Sequence, residues 1–191
     1  RALWPRLEAA AKGAAMGTGT EVDWEIIHGN NPTLPVESLQ KMMDAKLRQL
    51  EPLKYTADEL AWAATIRESL GNDAPELAEA AQIEDYAVLT GYGSTDVGDV
   101  SRAVPTVSVR TATWVPGTAA HSWQAVAASG HSYGAKGTQH AAKAMMLAAV
   151  ELYTNPQLRE TAKAEFIAAR GEDYVYESLL GDRAPPLDYR K

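Results

Sequence analysis

Apolar positions along this chain fall into two kinds of period, and the period of each stretch predicts its element. Leu3, Leu7, Ala10, Ala11 and Ala14 share one helical face, and Gly17 and Gly19 end that helix. In EVDWEII, Val22, Trp24 and Ile26 alternate with Glu21, Asp23 and Glu25, which predicts a half-exposed strand. HGNNPTLP is dense in turn formers and reads as a linker. Leu39, Met43, Leu47 and Leu50 line a second helix. Thr56 and Glu59 have capping-box spacing at the start of a third, with Trp62, Ile66 and Leu70 inward and Gly71 closing it. Residues 72–85 are acidic and aperiodic. Ala87 to Leu89 suggest a short buried strand, and PTVSVRT alternates again, with Val107 and Val109 on one face, as a second strand. Gly137 to Tyr153 form a small-residue helix, apolar nearly all round and therefore buried. Asn155 and Pro156 open a last helix through Leu158, Ala162, Phe166 and Ala169.

Helices between short strands predict an α/β layered fold, with helices packed on a mixed sheet. The opening helix and strand cannot cover both their apolar faces alone. Residues 1–29 are therefore expected to be the tail of one domain, 30–35 a linker, 36–178 the main domain and 179–191 an extended, proline-rich tail. The chain begins at Arg1 and is expected to be part of a longer product.

Composition narrows the function classes. The 191 residues include 18 Lys and Arg against 25 Asp and Glu, a formal charge of −7, which argues against a general nucleic-acid backbone binder. Hydrophobic residues at 46% and charged residues at 23% suit an ordinary folded chain. Cysteine is absent, which removes disulfides, thiolate metal sites and cysteine nucleophiles, and fits a reducing, cytoplasmic setting. The apolar run AMMLAAV is too short to cross a bilayer, and no secretory signal opens the chain, so no membrane partner is expected.

Candidate chemistry concentrates in two loops. YGSTDVGDVS places two glycines, two aspartates and several hydroxyls together. It reads either as a turn in which Ser94 or Thr95 caps a helix, or as a loop that contacts a ligand. No EF-hand, Walker or dinucleotide pattern is present. GTAAHSWQ sets His121 among small residues after a predicted strand, a common place for a site, with Trp123 a possible wall. None of His28, His121, His131 and His140 has a histidine four residues on, so there is no local zinc motif. His131, Lys136 and His140 read as a solvated first turn, and Glu51, Glu59 and Glu68 as surface helix residues.

GSTDVGDVSRAVPTVSV, GTAAHSWQAVAASG and KGTQHAAKAMM, in that order and spacing, resemble the C-terminal part of the aminobenzoyl-glutamate hydrolase B-type proteins. These belong to the dinuclear-zinc aminoacylase and carboxypeptidase family of amidohydrolases. AAAKGAAMGTGTEVDWEIIHG resembles the end of that family's small inserted α+β dimerisation domain. The resemblance implies a zinc-peptidase-like catalytic domain of which this chain is the C-terminal half. It implies that His121 is a metal ligand, for a divalent ion such as zinc or manganese. It also implies that Ser94, Thr95 and Asp96 line the substrate side of the cleft, that the substrate is an N-acyl amino acid, and that the full protein is a homodimer or heteromer. Where the relatives carry a histidine before the lysine–glycine pair, this chain has Ala135. The family's other ligands and its glutamate base come from an N-terminal half that has no counterpart here. The chain alone is therefore expected to hold no catalytic residue and to be inactive. One alternative is a non-catalytic assembly module that partners a chain carrying the remaining ligands; another is an unrelated α/β domain whose glycine loop takes an anion.

Overall fold

The computed structural model describes residues 2–87, 91, 93–184 and 187. Among them every regular element is helical, and there is no strand or sheet. The expected α/β fold with a mixed sheet is therefore corrected to an all-helical one. Residues 21–27 and 105–111 do alternate, but each runs as irregular chain. A strand exists only where a neighbour takes its backbone hydrogen bonds, and among the described residues no neighbouring segment does so. Of the third expected strand, Val88 and Leu89 lie outside the described residues.

The chain divides into two compact units. One comprises Arg1–Asn31 with Glu177–Lys191, and the other Pro32–Tyr176. In the smaller unit, α1 (Trp4–Thr18) starts with a proline in its first turn and ends at Gly19, whose φ of 66° closes the helix in the left-handed conformation. No α1 residue is buried, so packing contributes little to holding it. Lys12 sits 5.1 Å over the Trp24 ring, and the Trp24 indole N–H donates to Glu8. Arg183 donates to Glu25 and to the Ile26 carbonyl.

The larger unit is built on α6 (Ser132–Thr154). It packs against α2 (Glu37–Arg48), α3 (Ala57–Glu68), α5 (Trp123–Ser129) and α7 (Pro156–Arg170), and α2 also packs on α7. The remaining helix, α4 (Val97–Ala103), is short. Leu34, Val36, Leu39, Met42 and Met43 meet Ala144, Ala148, Ala162 and Phe166 in a first core; Ala63, Ile66, Ala80, Val115 and Tyr133 form a second. The expected capping box forms: Thr56 Oγ1 accepts from the Glu59 amide at 3.2 Å, and Glu59 accepts from the Thr56 amide at 2.7 Å. Asn155 caps α7 by accepting from Leu158 N, with Pro156 in the first turn. The aperiodic acidic stretch folds as a single 3-10 turn, Leu77–Ala81.

α6 is not buried all round. Tyr133, Gly134, Gly137, Ala144 and Ala148 face inward, whereas Met145, Met146, Val150 and Tyr153 are exposed. Its glycines do specific work. A Cβ on Gly137 would run into the Ala112 carbonyl oxygen. One on Gly134 would meet the Ala128 oxygen and lie 2.8 Å from the Thr113 oxygen. The backbone of residues 112 and 113 therefore rests directly on α6, and Thr111 Oγ1 donates to the Gly137 carbonyl at 2.9 Å.

Two outcomes follow for stability. Phe166→Ala is expected to cost about 3 kcal/mol in chemical denaturation, while Tyr153→Ala, at an exposed site, changes it by less than about 0.5 kcal/mol. Gly137→Ala should destabilise even though alanine is the better helix former by about 1 kcal/mol, because the blocking atom is backbone. A Gly137→Ala protein more stable than the parent would rule out this contact.

Candidate functional site

The His121 loop is fixed at both ends. Val115, almost wholly buried, anchors its start and accepts from Thr118 N at 3.0 Å. Gly117 takes a φ of 87° where a side chain would strike the Pro75 ring. At the other end, Ser122 Oγ donates to Ala119 O at 2.6 Å and accepts from Ala125 N at 3.2 Å, which caps α5. Between these fixed points His121 has a φ of 60°, the only positive value outside glycine among the described residues. That conformation is uncommon for a residue with a Cβ and marks a turn imposed by its flanks. The exposed imidazole makes no hydrogen bond among the described residues, which leaves its nitrogens open to a ligand.

The glycine loop leads into α4. Gly93, Ser94, Thr95 and Asp96 are all exposed, and Tyr92 lies outside the described residues. Asp96 occupies the N-cap position without a side-chain cap bond, while Thr95 Oγ1 accepts from Val97 N at 3.3 Å. Capping by Thr95 is thus present in this weaker form. α4 is held from below by Ser101, fully buried, whose hydroxyl donates to Gly98 O at 2.6 Å and accepts from Leu34 N at 2.8 Å. Asp99 accepts from the Tyr176 hydroxyl.

His121 and residues 94–96 precede different short helices. Among the described residues no group of three or more His, Asp or Glu side chains gathers where it could hold a metal ion. His121 is therefore a single candidate donor, not a complete site. Two of the other histidines have local partners. His28 lies 3.0 Å from the Asn30 amide nitrogen. His131 Nδ1 accepts from Tyr133 N, and its ring stacks on Trp62 at 4.0 Å. His140 has its pKa lowered by burial and by the Lys143 charge. Trp123 is 61% exposed.

The most built polar cluster lies where the sequence pattern predicts only surface. Glu59 is buried, and its carboxylate accepts from Lys136 Nζ, from the Thr56 amide and from Ser132 Oγ at 2.8 Å. Lys136 also donates to the Lys54 carbonyl at 2.8 Å. These donors hold Glu59 well below the usual carboxylate range, at about 2, with Lys136 the largest cause and the Thr56 amide next. Beside it Tyr55 and Tyr133 stack at 4.2 Å, and burial pushes both phenols up. The cluster ties the start of α3 to the start of α6. The capping-box spacing signals Glu59's local bond but not its partner on α6.

The chain is similar to the B-type subunit of p-aminobenzoyl-glutamate hydrolase from Escherichia coli (strain K12), with 28% identity over 188 residues. The match covers 85% of this chain and 39% of the relative, so the chain spans about two fifths of the length of the curated relative it matches. The resemblance carried by the glycine-loop and histidine-loop motifs is borne out. No protein-family model matches, and no solved structure does. Among the described residues no helix is long and apolar enough to cross a membrane.

Glu59 also sets a pH dependence. Its folded pKa lies below the ordinary value of 4.5, so its stabilising effect is full above about 4.5 and is lost as pH falls towards about 2. Glu59→Gln is expected to lower stability by about 2 kcal/mol at pH 7, with the gap to the parent closing between pH 4.5 and 2 in urea melts. A gap that stays constant through that window would show that the ion pair contributes nothing.

Proposed function

We propose that this chain is part of a metal-dependent amidohydrolase that cleaves the amide bond of an N-acyl amino acid, of the p-aminobenzoyl-glutamate kind in the relative's name. The observation that carries this reading is the similarity to that hydrolase over 85% of the chain. His121 is the residue we assign to a divalent ion, zinc or manganese, and its strained, unpartnered position on a fixed loop supports the assignment. Ser94, Thr95 and Asp96, exposed ahead of α4, are assigned to the substrate side.

A single imidazole does not make a metal site. A catalytic zinc ordinarily takes three protein ligands, and no such set assembles among the described residues. The remaining ligands and the general base belong, on this reading, to polypeptide outside this sequence, and the chain alone is inactive. The relative's designation as one subunit of a hydrolase supports a multichain or dimeric enzyme. A cytoplasmic setting suits a chain without cysteine. The same lack of a complete ligand set also favours the second reading, a non-catalytic assembly module partnering a chain that holds the metal.

The two readings separate on His121. In the polypeptide translated from the whole gene, His121→Ala is expected to lower bound metal and to cut p-aminobenzoyl-glutamate hydrolysis at least about 100-fold. His121→Asn, which tolerates the left-handed backbone, should behave alike and so separates ligand loss from loop strain. Unchanged metal content and rate in both variants would remove His121 from the site and leave the assembly module.

A further inference from the structure

The turn that carries His121 is tied at both ends to one place, the end of α3. Ahead of the turn, Gly117 seats on residues 74 and 75. A Cβ there would lie 2.8 Å from the Pro75 ring and 3.4 Å from the Ala74 side chain. Those two residues are in turn clamped by Arg67, in the last turn of α3. Its Nε donates to the Pro75 carbonyl at 2.9 Å and its Nη2 to the Ala74 carbonyl at 2.8 Å, with Nη2 also paired to Glu76 at 2.8 Å. After the turn, Gln124 Nε2 donates at 3.2 Å to the hydroxyl of Ser69, the C-cap of α3. That hydroxyl itself donates to the Ile66 carbonyl at 2.6 Å.

A basic residue near a helix C-terminus needs no other role, since it complements the carbonyls exposed there. Arg67 does something different. Its planar fork reaches off α3 and fixes two successive carbonyls of a separate stretch of chain, a geometry that the point charge of lysine does not reproduce. The support beneath it is itself well held. α3 buries Ala63 and Ile66 in the core that also holds Val115, and Glu59 joins it to Ser132 and Lys136 of α6. Between the two ties His121 takes its left-handed φ of 60°.

We infer that Arg67, together with the Ser69–Gln124 bond, is a positioning device that sets the conformation of His121. Arg67, Ser69 and Gln124 bond to chain on either side of the imidazole and not to the ring, so they act through the loop and not as ligands. The positioning stands on these bonds, while its service to a metal ligand rests on the proposed function. A donor already held in one conformation binds without the cost of ordering its loop, so loosening the support weakens the bound ion.

The test uses the polypeptide translated from the whole gene, isotopically labelled at histidine, with the His121 signal assigned by its loss in His121→Asn. Arg67→Lys keeps the charge and the alkyl stem but loses the fork. Gln124→Ala cuts the opposite tie and gives the same readout should Arg67→Lys unfold; a cooperative urea melt shows which variants are folded. In each folded variant the His121 carbon shifts, which report backbone φ, are expected to move away from their left-handed values. Zinc affinity, measured by chelator competition, is expected to weaken on the order of 10-fold. Folded variants whose His121 shifts match the parent would overturn the inference, whatever their zinc affinity. Moved shifts with the parent's zinc affinity would keep the positioning and remove His121 from the metal, so the two readings fail separately.

Discussion

The larger unit depends on one close approach: backbone of residues 112 and 113 lying directly on α6 where Gly134 and Gly137 have no side chains. Helices normally keep other backbone at the distance of a side chain, and here that distance is removed over one helical turn. The contact fixes a single point from which the chain diverges. Before it, Val107 and Val109 drop into the core shared by α2, α6 and α7. After it, Val115 enters the core beneath α3, and the turn carrying His121 follows at once. The loop of the candidate donor thus starts close to the point fixed on α6 and is held further by the bonds at its own two ends.

The helices are legible because their signals are local. The capping box at Thr56 and Glu59, the Asn155–Pro156 start of α7 and the spacing of Leu39 and Met43 each report on neighbours within a turn or two. The strand pattern misleads because alternation reports only that one flank is covered. Val107 and Val109 are covered by helices, and the backbone pairing that would make a strand depends on a segment elsewhere. The apolar pattern of α6 misleads in the other direction. Met145, Met146 and Val150 stay exposed, whereas Ala144 and Ala148 of the same helix face the core with α2 and α7.

The candidate site is legible as motif and not as geometry. His121 and residues 94–96 stand out through the order and spacing of their loops, and the similarity to the Escherichia coli hydrolase bears out that resemblance. The left-handed backbone at His121 has no sequence signature, since glycine or asparagine is the usual occupant of such a position. Glu59 is hidden for a different reason. A capping glutamate is ordinarily solvent-exposed, and its ion-pair partner lies 77 residues further along the chain.

That shared carboxylate has an evolutionary consequence. Ser132 and Lys136 both donate from their side chains to the Glu59 carboxylate, so a change at either alters what the other is worth. Three positions on two helices, Glu59, Ser132 and Lys136, then behave as a single inherited character. Substitutions among them should travel together or not at all, and a recombination crossover placed between α3 and α6 would separate partners that are viable only as a set.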